Sequence, residues 1–157
     1  MRFFAIGIGL TLMMAAAMAQ DLKMYSSSSE VQALIAQAKS ERKEGQGLIT
    51  KPLLRLAPVR ANLEYRASIA PAALHEKDAE VFYVIEGSAT LTTGGKLVNE
   101  TRTPGNAAGT AIEGGKDQAV SRGDFVIVPE NTPHWFSSIS STLVLMSLHI
   151  PRSAPTK

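Results

Sequence analysis

The chain predicts an all-β domain, a sandwich or barrel, with one helix ahead of it. Three observations lead there. About eight short runs of strand character follow Gly47, with no helical period among them. Turn signals separate these runs. The one stretch with apolar residues at helical spacing lies before Gly47.

The helix comes first. Ser27 followed three residues later by Glu30 is a capping-box pattern, and Val31, Leu34, Ile35 and Ala38 then recur at helical spacing until Gly45 and Gly47. This places an amphipathic helix over roughly 28–43. Lys39, Glu41, Arg42, Lys43 and Glu44 form its solvated face and last turn, and its apolar face packs on the barrel or on a partner subunit.

The strand runs are residues 48–56, 62–69, 80–85, 89–93, 96–101, 125–128, 134–139 and 143–150. Glu86-Gly87 and Gly94-Gly95 suit tight reversals, and residues 122–124 and 129–133 suit short loops. Residues 103–117 carry five glycines or prolines with little apolar periodicity, which reads as a surface loop, either a lid or a plain insertion. Asn99-Glu100-Thr101 matches a glycosylation acceptor, which has meaning only in a eukaryotic source.

At the N-terminus Arg2 precedes an apolar stretch from Phe3 to about Ala17, and Ala17-Met18-Ala19 is a small-x-small cleavage site. A signal peptide over residues 1–19 is expected, which makes the protein exported: periplasmic if bacterial, otherwise secreted. A membrane anchor would need about 20 apolar residues with basic flanks, so no stable membrane insertion is expected after cleavage. Beyond it, residues 20–47 form a segment with the helix and residues 48–157 the barrel, one core in all.

Arg2 is the only charge in the leader, so the 16 basic residues fall to 15 against 14 acidic ones, dispersed without long runs. That balance is no nucleic-acid footprint. There is no cysteine, which excludes thiol chemistry and zinc fingers and leaves stability to the core and to oligomerisation. Serine-hydrolase and phosphate-loop motifs are absent as well.

Three histidines exist, His75, His134 and His149, and two stand in unusual surroundings. From His75 the chain reads HEKDAEVFYVIEGSATL, and from Gly123 it reads GDFVIVPENTPHWF. These segments resemble the two motifs of the cupins, G-x5-H-x-H-x(3,4)-E-x6-G and G-x5-P-x-G-x2-H-x3-N. His75 takes the place of the second histidine, Glu80 the glutamate and Gly87 the closing glycine; Gly123, Pro129 and His134 take theirs in the second motif. The resemblance covers residues 65–138. Ala73 stands where the first histidine belongs, Ala67 at the leading glycine, Asn131 at the glycine of P-x-G and Ser138 at the asparagine. Asn131 tolerates the left-handed turn that glycine would adopt.

The resemblance implies a jelly-roll β-barrel of cupin type, holding one divalent metal ion, Fe, Mn, Zn or Ni, on His75, Glu80 and His134. Two imidazoles and a carboxylate suit such ions and leave positions open for water or substrate. In an alternating strand Glu80 shares its face with Phe82 and Val84, and His134 shares one with Phe136, so polar tips would meet an apolar floor of Phe82 and Phe136. A buried carboxylate needs a cation or a hydrogen-bonding partner. Plainer alternatives stay open: His75 as an exposed loop residue, Glu80 as a solvent-facing carboxylate, and His134 as part of a hairpin shaped by Pro133 and Trp135.

His149 follows Leu143, Leu145 and Ser147 on one strand face, which leaves two positions open, one inward and one at the rim. Inward it would replace the missing histidine, donate to a substrate, or simply be hydrogen-bonded in the core. Glu76 is a second candidate ligand or acid/base beside Glu80. Arg66 is a natural partner for a substrate carboxylate, and Tyr65 is a further contact. Tyr83 and Trp135, of opposite parity to Glu80 and His134, belong outside the barrel or at a homodimer interface.

The expected activity is that of a metalloenzyme acting on a small oxygen-rich molecule, of dioxygenase, isomerase, decarboxylase or lyase type. The alternatives are a non-catalytic barrel that binds a sugar or small carboxylate without metal, and an assembly module built on the helix and outward aromatics.

Overall fold

The computed structural model describes residues 22–152. The expected signal peptide lies outside the described residues. Helix α1 (Ser28–Glu41) begins where Ser27, in extended backbone, accepts the Glu30 amide on its hydroxyl at 3.1 Å. It stops two residues short of the expected end, because Arg42 is already extended.

Thirteen strands follow among the described residues: β1 (Leu48–Leu56), β2 (Val59–Arg66), β3 (Ala72–His75), β4 (Asp78–Glu86), β5 (Ser88–Thr93), β6 (Lys96–Val98), β7 (Thr101–Thr103), β8 (Asn106–Gly109), β9 (Ala111–Glu113), β10 (Lys116–Ser121), β11 (Phe125–Val128), β12 (His134–Ile139) and β13 (Leu143–Pro151). They form a five-stranded sheet, β1-β2-β13-β4-β11, a six-stranded sheet, β10-β5-β12-β3-β8-β7, and the small pair β6-β9. Every pairing is antiparallel. The two large sheets close face to face as a jelly roll.

The core between them takes Phe82, Val84, Val128, Leu143 and Leu145 from the first sheet and Ala89, Leu91, Val120 and Phe136 from the second. Each large side chain fully buried here stabilises the fold by roughly 1.5–3 kcal/mol. A second core lies on the outer face of the five-stranded sheet. There Ile35 and Ala38 of α1 meet Ile49, Leu53, Ala61, Leu63, Tyr65 and Val144. So α1 packs on its own barrel, and Lys51 of β1 pairs with Glu41 at its last turn.

Residues 103–117 are no plain surface loop. They hold the last residue of β7, all of β8 and β9 and the start of β10, and β9 pairs with β6. The strand signal was hidden because the packed residues are small. Gly109 lies so close to β6 that a β-carbon on it would stand 2.7 Å from the Val98 carbonyl oxygen. β3 was missed for a similar reason, since Ala72-Ala73-Leu74 has little strand propensity. β10 was missed because it is an edge strand with only Val120 buried.

Two motif residues have backbone duties. Asn131 occupies the left-handed region at φ 56°, as expected of a residue replacing glycine. Gly87 has φ 87°, and a β-carbon there would stand 2.1 Å from the Thr142 carbonyl oxygen. Gly87→Ala is therefore expected to destabilise the protein by more than about 1 kcal/mol in urea unfolding, with a lowered midpoint and an unchanged slope.

Candidate metal centre

The site lies at one end of the barrel, where five strands converge. In β4 the alternation sends Glu80, Phe82 and Val84 inward and Val81, Tyr83 and Ile85 outward. His149 of β13 faces Glu80 directly across the β13/β4 register. His134 of β12 pairs with Ala73 of β3, and His75 stands two residues on, on the same face of that strand. The two motif segments are tied through the backbone: the Asn131 amide donates to the His75 carbonyl at 2.7 Å.

Glu80 is the centre of the group and is only 3% exposed. Its Oε2 lies 3.3 Å from His75 Nε2 and 3.1 Å from His134 Nε2, and its Oε1 lies 3.2 Å from His149 Nε2. One donor atom each from His75, Glu80 and His134 falls within 4.8 Å of the others. Phe82 and Phe136 meet edge to face beneath, with Phe82 against the His134 ring. They form the expected apolar floor, but both are sealed in the core, at 1% and 2% exposure, and offer no open surface to a substrate.

The outer partners orient the rings. His75 Nδ1 is 2.6 Å from Asn106 Oδ1, whose amide nitrogen is turned to the Pro104 carbonyl. His134 Nδ1 is 3.1 Å from the Thr132 carbonyl. Both acceptors take up the proton on Nδ1, so that a ring without a proton on Nε2 turns the lone pair of that nitrogen toward Glu80. Two lone pairs and a carboxylate oxygen converging in a buried space repel one another unless a proton or a metal ion sits among them. Ligands about 2.1 Å from one ion stand about 3–3.5 Å apart, so the donor set fits a divalent metal.

Other expected residues are placed differently. Arg66 points inward, but its Nε and Nη2 bond Glu64 Oε2 at 2.8 and 2.7 Å and its guanidinium lies 4.8 Å from the Phe136 ring centre. It is engaged inside the barrel. Glu76 is turned away from the cluster and pairs with Arg102 at 2.8 Å. Tyr65 is buried under α1. Tyr83 stacks on Phe125 outside the five-stranded sheet, and Trp135 donates to the Ala70 carbonyl outside the other. Reasoning from sequence missed Asn106. Asn106 sits in the stretch read as a loop, and no pattern pointed to it.

A family model described as Cupin matches residues 50–154. This chain belongs to the cupin family. No curated protein matches it in sequence. The cupin barrel is similar to solved structures of iron(II) HppE (16% identity, TM-score 0.53) and of KdgF from Halomonas sp. (18%, 0.51). It is also similar to hydroxypropylphosphonic acid epoxidase from S. wedmorenis (18%, 0.53). The matches cover 69, 71 and 69% of this chain and 54, 87 and 53% of those chains, in the same order. The cupin therefore spans about half the length of the two epoxidase-type chains, and at these identities the likeness is one of fold.

The electrostatics follow from the geometry. Burial works against the charge on Glu80, but hydrogen bonds from His134, His149 and His75 outweigh it and hold the carboxyl well below the usual carboxylate range. Burial also works against protonation of His75. Hydrogen bonds with Glu80 and Asn106 outweigh it and raise its proton affinity above the usual imidazole value.

The raised His75 contributes stability that is complete below its unfolded value, near 6.5, and is lost as pH rises through the folded one. The depressed Glu80 contributes stability present above about 4.5 and lost only in strong acid. Metal-free protein is expected to have its highest melting temperature near pH 5–6.5 and a falling one toward about pH 8, where added zinc or manganese restores it most. A flat melting profile between about pH 6 and 8, with and without metal, would contradict this account.

Proposed function

We propose that this cupin is a metal-dependent enzyme acting on a small oxygen-rich molecule, with one divalent ion, Fe, Mn, Zn or Ni, held by His75 Nε2, His134 Nε2 and Glu80 Oε2. The observation that carries the reading is the pair of Nδ1 anchors, Asn106 and the Thr132 carbonyl, which turn both ring nitrogens onto the same carboxylate oxygen. A bound ion of this kind polarises a substrate oxygen or binds dioxygen. The chain's own residues decide what reaches it. Ala73 stands where the family motif carries a further histidine, and the register sets Ala73 between His134 and Ala108. Two methyl groups there add no further ligand beside the three, which favours a compact substrate as the next occupant. The iron(II) form of HppE supports the reading by showing the same fold with iron in that protein.

Elemental analysis of protein purified without a histidine tag is expected to find about one equivalent of a transition metal, or to show uptake of one. His75→Ala, Glu80→Ala and His134→Ala should each lower affinity by more than the roughly 10–100-fold that outer partners contribute. Wild-type protein that holds less than about a tenth of an equivalent and takes up none would overturn the proposal. It would leave a barrel that binds a sugar or small carboxylate without metal.

The proposal keeps the chain exported and homodimeric. The apolar segment 3–17 with its small-x-small end supports export. Phe125 and Ile127 support the dimer: they are 71% and 64% exposed on edge strand β11, beside Tyr83, on the side a second copy would cover. Sedimentation velocity should show a dimer that Phe125→Glu with Ile127→Glu converts to monomer, and a wild-type monomer would overturn this part.

A further inference from the structure

Three histidines surround Glu80, yet they do not meet it alike. His75 and His134 face Oε2, whereas His149 faces Oε1. Among the described residues the compact set of donor atoms comprises His75, Glu80 and His134 without His149. The other ring nitrogen separates them further. His149 Nδ1 is buried with no hydrogen-bond partner, its nearest carboxylate oxygen, Asp78 Oδ2, being 3.7 Å away and itself held by Arg60 at 3.1 Å. Asp78 lies beyond hydrogen-bond distance of Nδ1 whereas Glu80 Oε1 lies 3.2 Å from Nε2, so the His149 proton belongs on Nε2, where Glu80 Oε1 accepts it. A nitrogen that carries a proton cannot ligate a metal.

Resting on the metal-centre reading above, we propose that His149 is a positioning residue: its Nε2–H holds Oε1 of Glu80, so that Glu80 offers a single oxygen to the ion. The place left by Ala73 is then not refilled and stays open to substrate. The fold makes this arrangement firm. His149 and Glu80 are direct partners across β13 and β4, so their relation is set by the sheet register. Ala73 lies on the facing sheet, beside His134. A hydrogen bond to the carboxylate oxygen that does not ligate fixes the orientation of the one that does, and outer partners of this kind typically contribute 10–100-fold in metal affinity.

The test uses the full chain, tag-free and loaded with cobalt(II) or zinc. X-ray absorption on the wild type is expected to count two imidazole ligands, and a count of three would overturn the proposal. His149→Ala is expected to keep one equivalent of cobalt with about 10–100-fold weaker affinity and an altered visible spectrum, because Glu80 is freed to bind through both oxygens. His149→Gln, whose amide can still donate to Oε1, should recover most of the affinity and the wild-type spectrum. A folded His149→Ala with unchanged affinity and spectrum overturns the proposal, as does a glutamine variant no better than alanine. Should His149→Ala not fold, the wild-type imidazole count still decides. Wild-type protein that binds neither ion removes the metal-centre reading and this inference together, whereas binding that is indifferent to position 149 removes this inference alone.

Discussion

A carboxylate carried into a barrel interior loses its hydration, and the rest of this structure is arranged around repairing that loss at Glu80. An isolated buried charge costs several kcal/mol even after the surroundings relax. Here Oε2 has two imidazole neighbours and Oε1 one, at 3.1–3.3 Å, supplied by β3, β12 and β13. The compensation is divided. One oxygen meets the two rings whose outer nitrogens are anchored to acceptors, and the other meets a ring whose outer nitrogen has no acceptor. Because of this division the cluster is asymmetric, and the asymmetry points to an ion on one side of the carboxylate.

Around that centre the fold supplies rigidity more than surface. Phe82 and Phe136 close the space beneath the histidines, and Arg66 with Glu64 fills the interior further along. On the outer side α1 covers β1 and β2, so that Leu63 and Tyr65 are buried away from the barrel interior. β2 consequently has its apolar residues outside and Asn62, Glu64 and Arg66 inside, whereas β4 and β13 carry apolar residues on both faces. A helix docked on one sheet thus allows the same sheet to carry polar groups inward near the site.

Much of this was legible in the chain. The alternation of Glu80, Phe82 and Val84, the series Leu143, Leu145, Ser147 and His149, and the spacing of Gly123, Pro129 and His134 all led to the correct faces. The capping serine and the left-handed Asn131 were legible too. What escaped were elements made of small or polar residues: β3 with its alanines, β8 and β9 with glycine and alanine, and β10 with a single buried valine. Hydrophobic patterning reports a strand only when large side chains alternate, and these strands pack by close approach. Asn106 escaped with them, and so did the anchor that turns His75. Arg66 looked available to a substrate carboxylate because its partner, Glu64 on the same strand face, was not weighed against it.

The sequence by itself determined the class of fold, which residues share a strand face with Glu80, His134 and His149, and the candidate set His75, Glu80 and His134. These are consequences of the two-residue pleat and of motif spacing, which act within a single strand or hairpin. Only the tertiary structure decided which oxygen of Glu80 each ring meets, which nitrogen of each ring is left without an acceptor, and that Glu76 and Arg66 are engaged elsewhere. Those relations depend on the register between strands far apart in the chain and on how the two sheets close. Register of that kind is set by packing across the whole barrel.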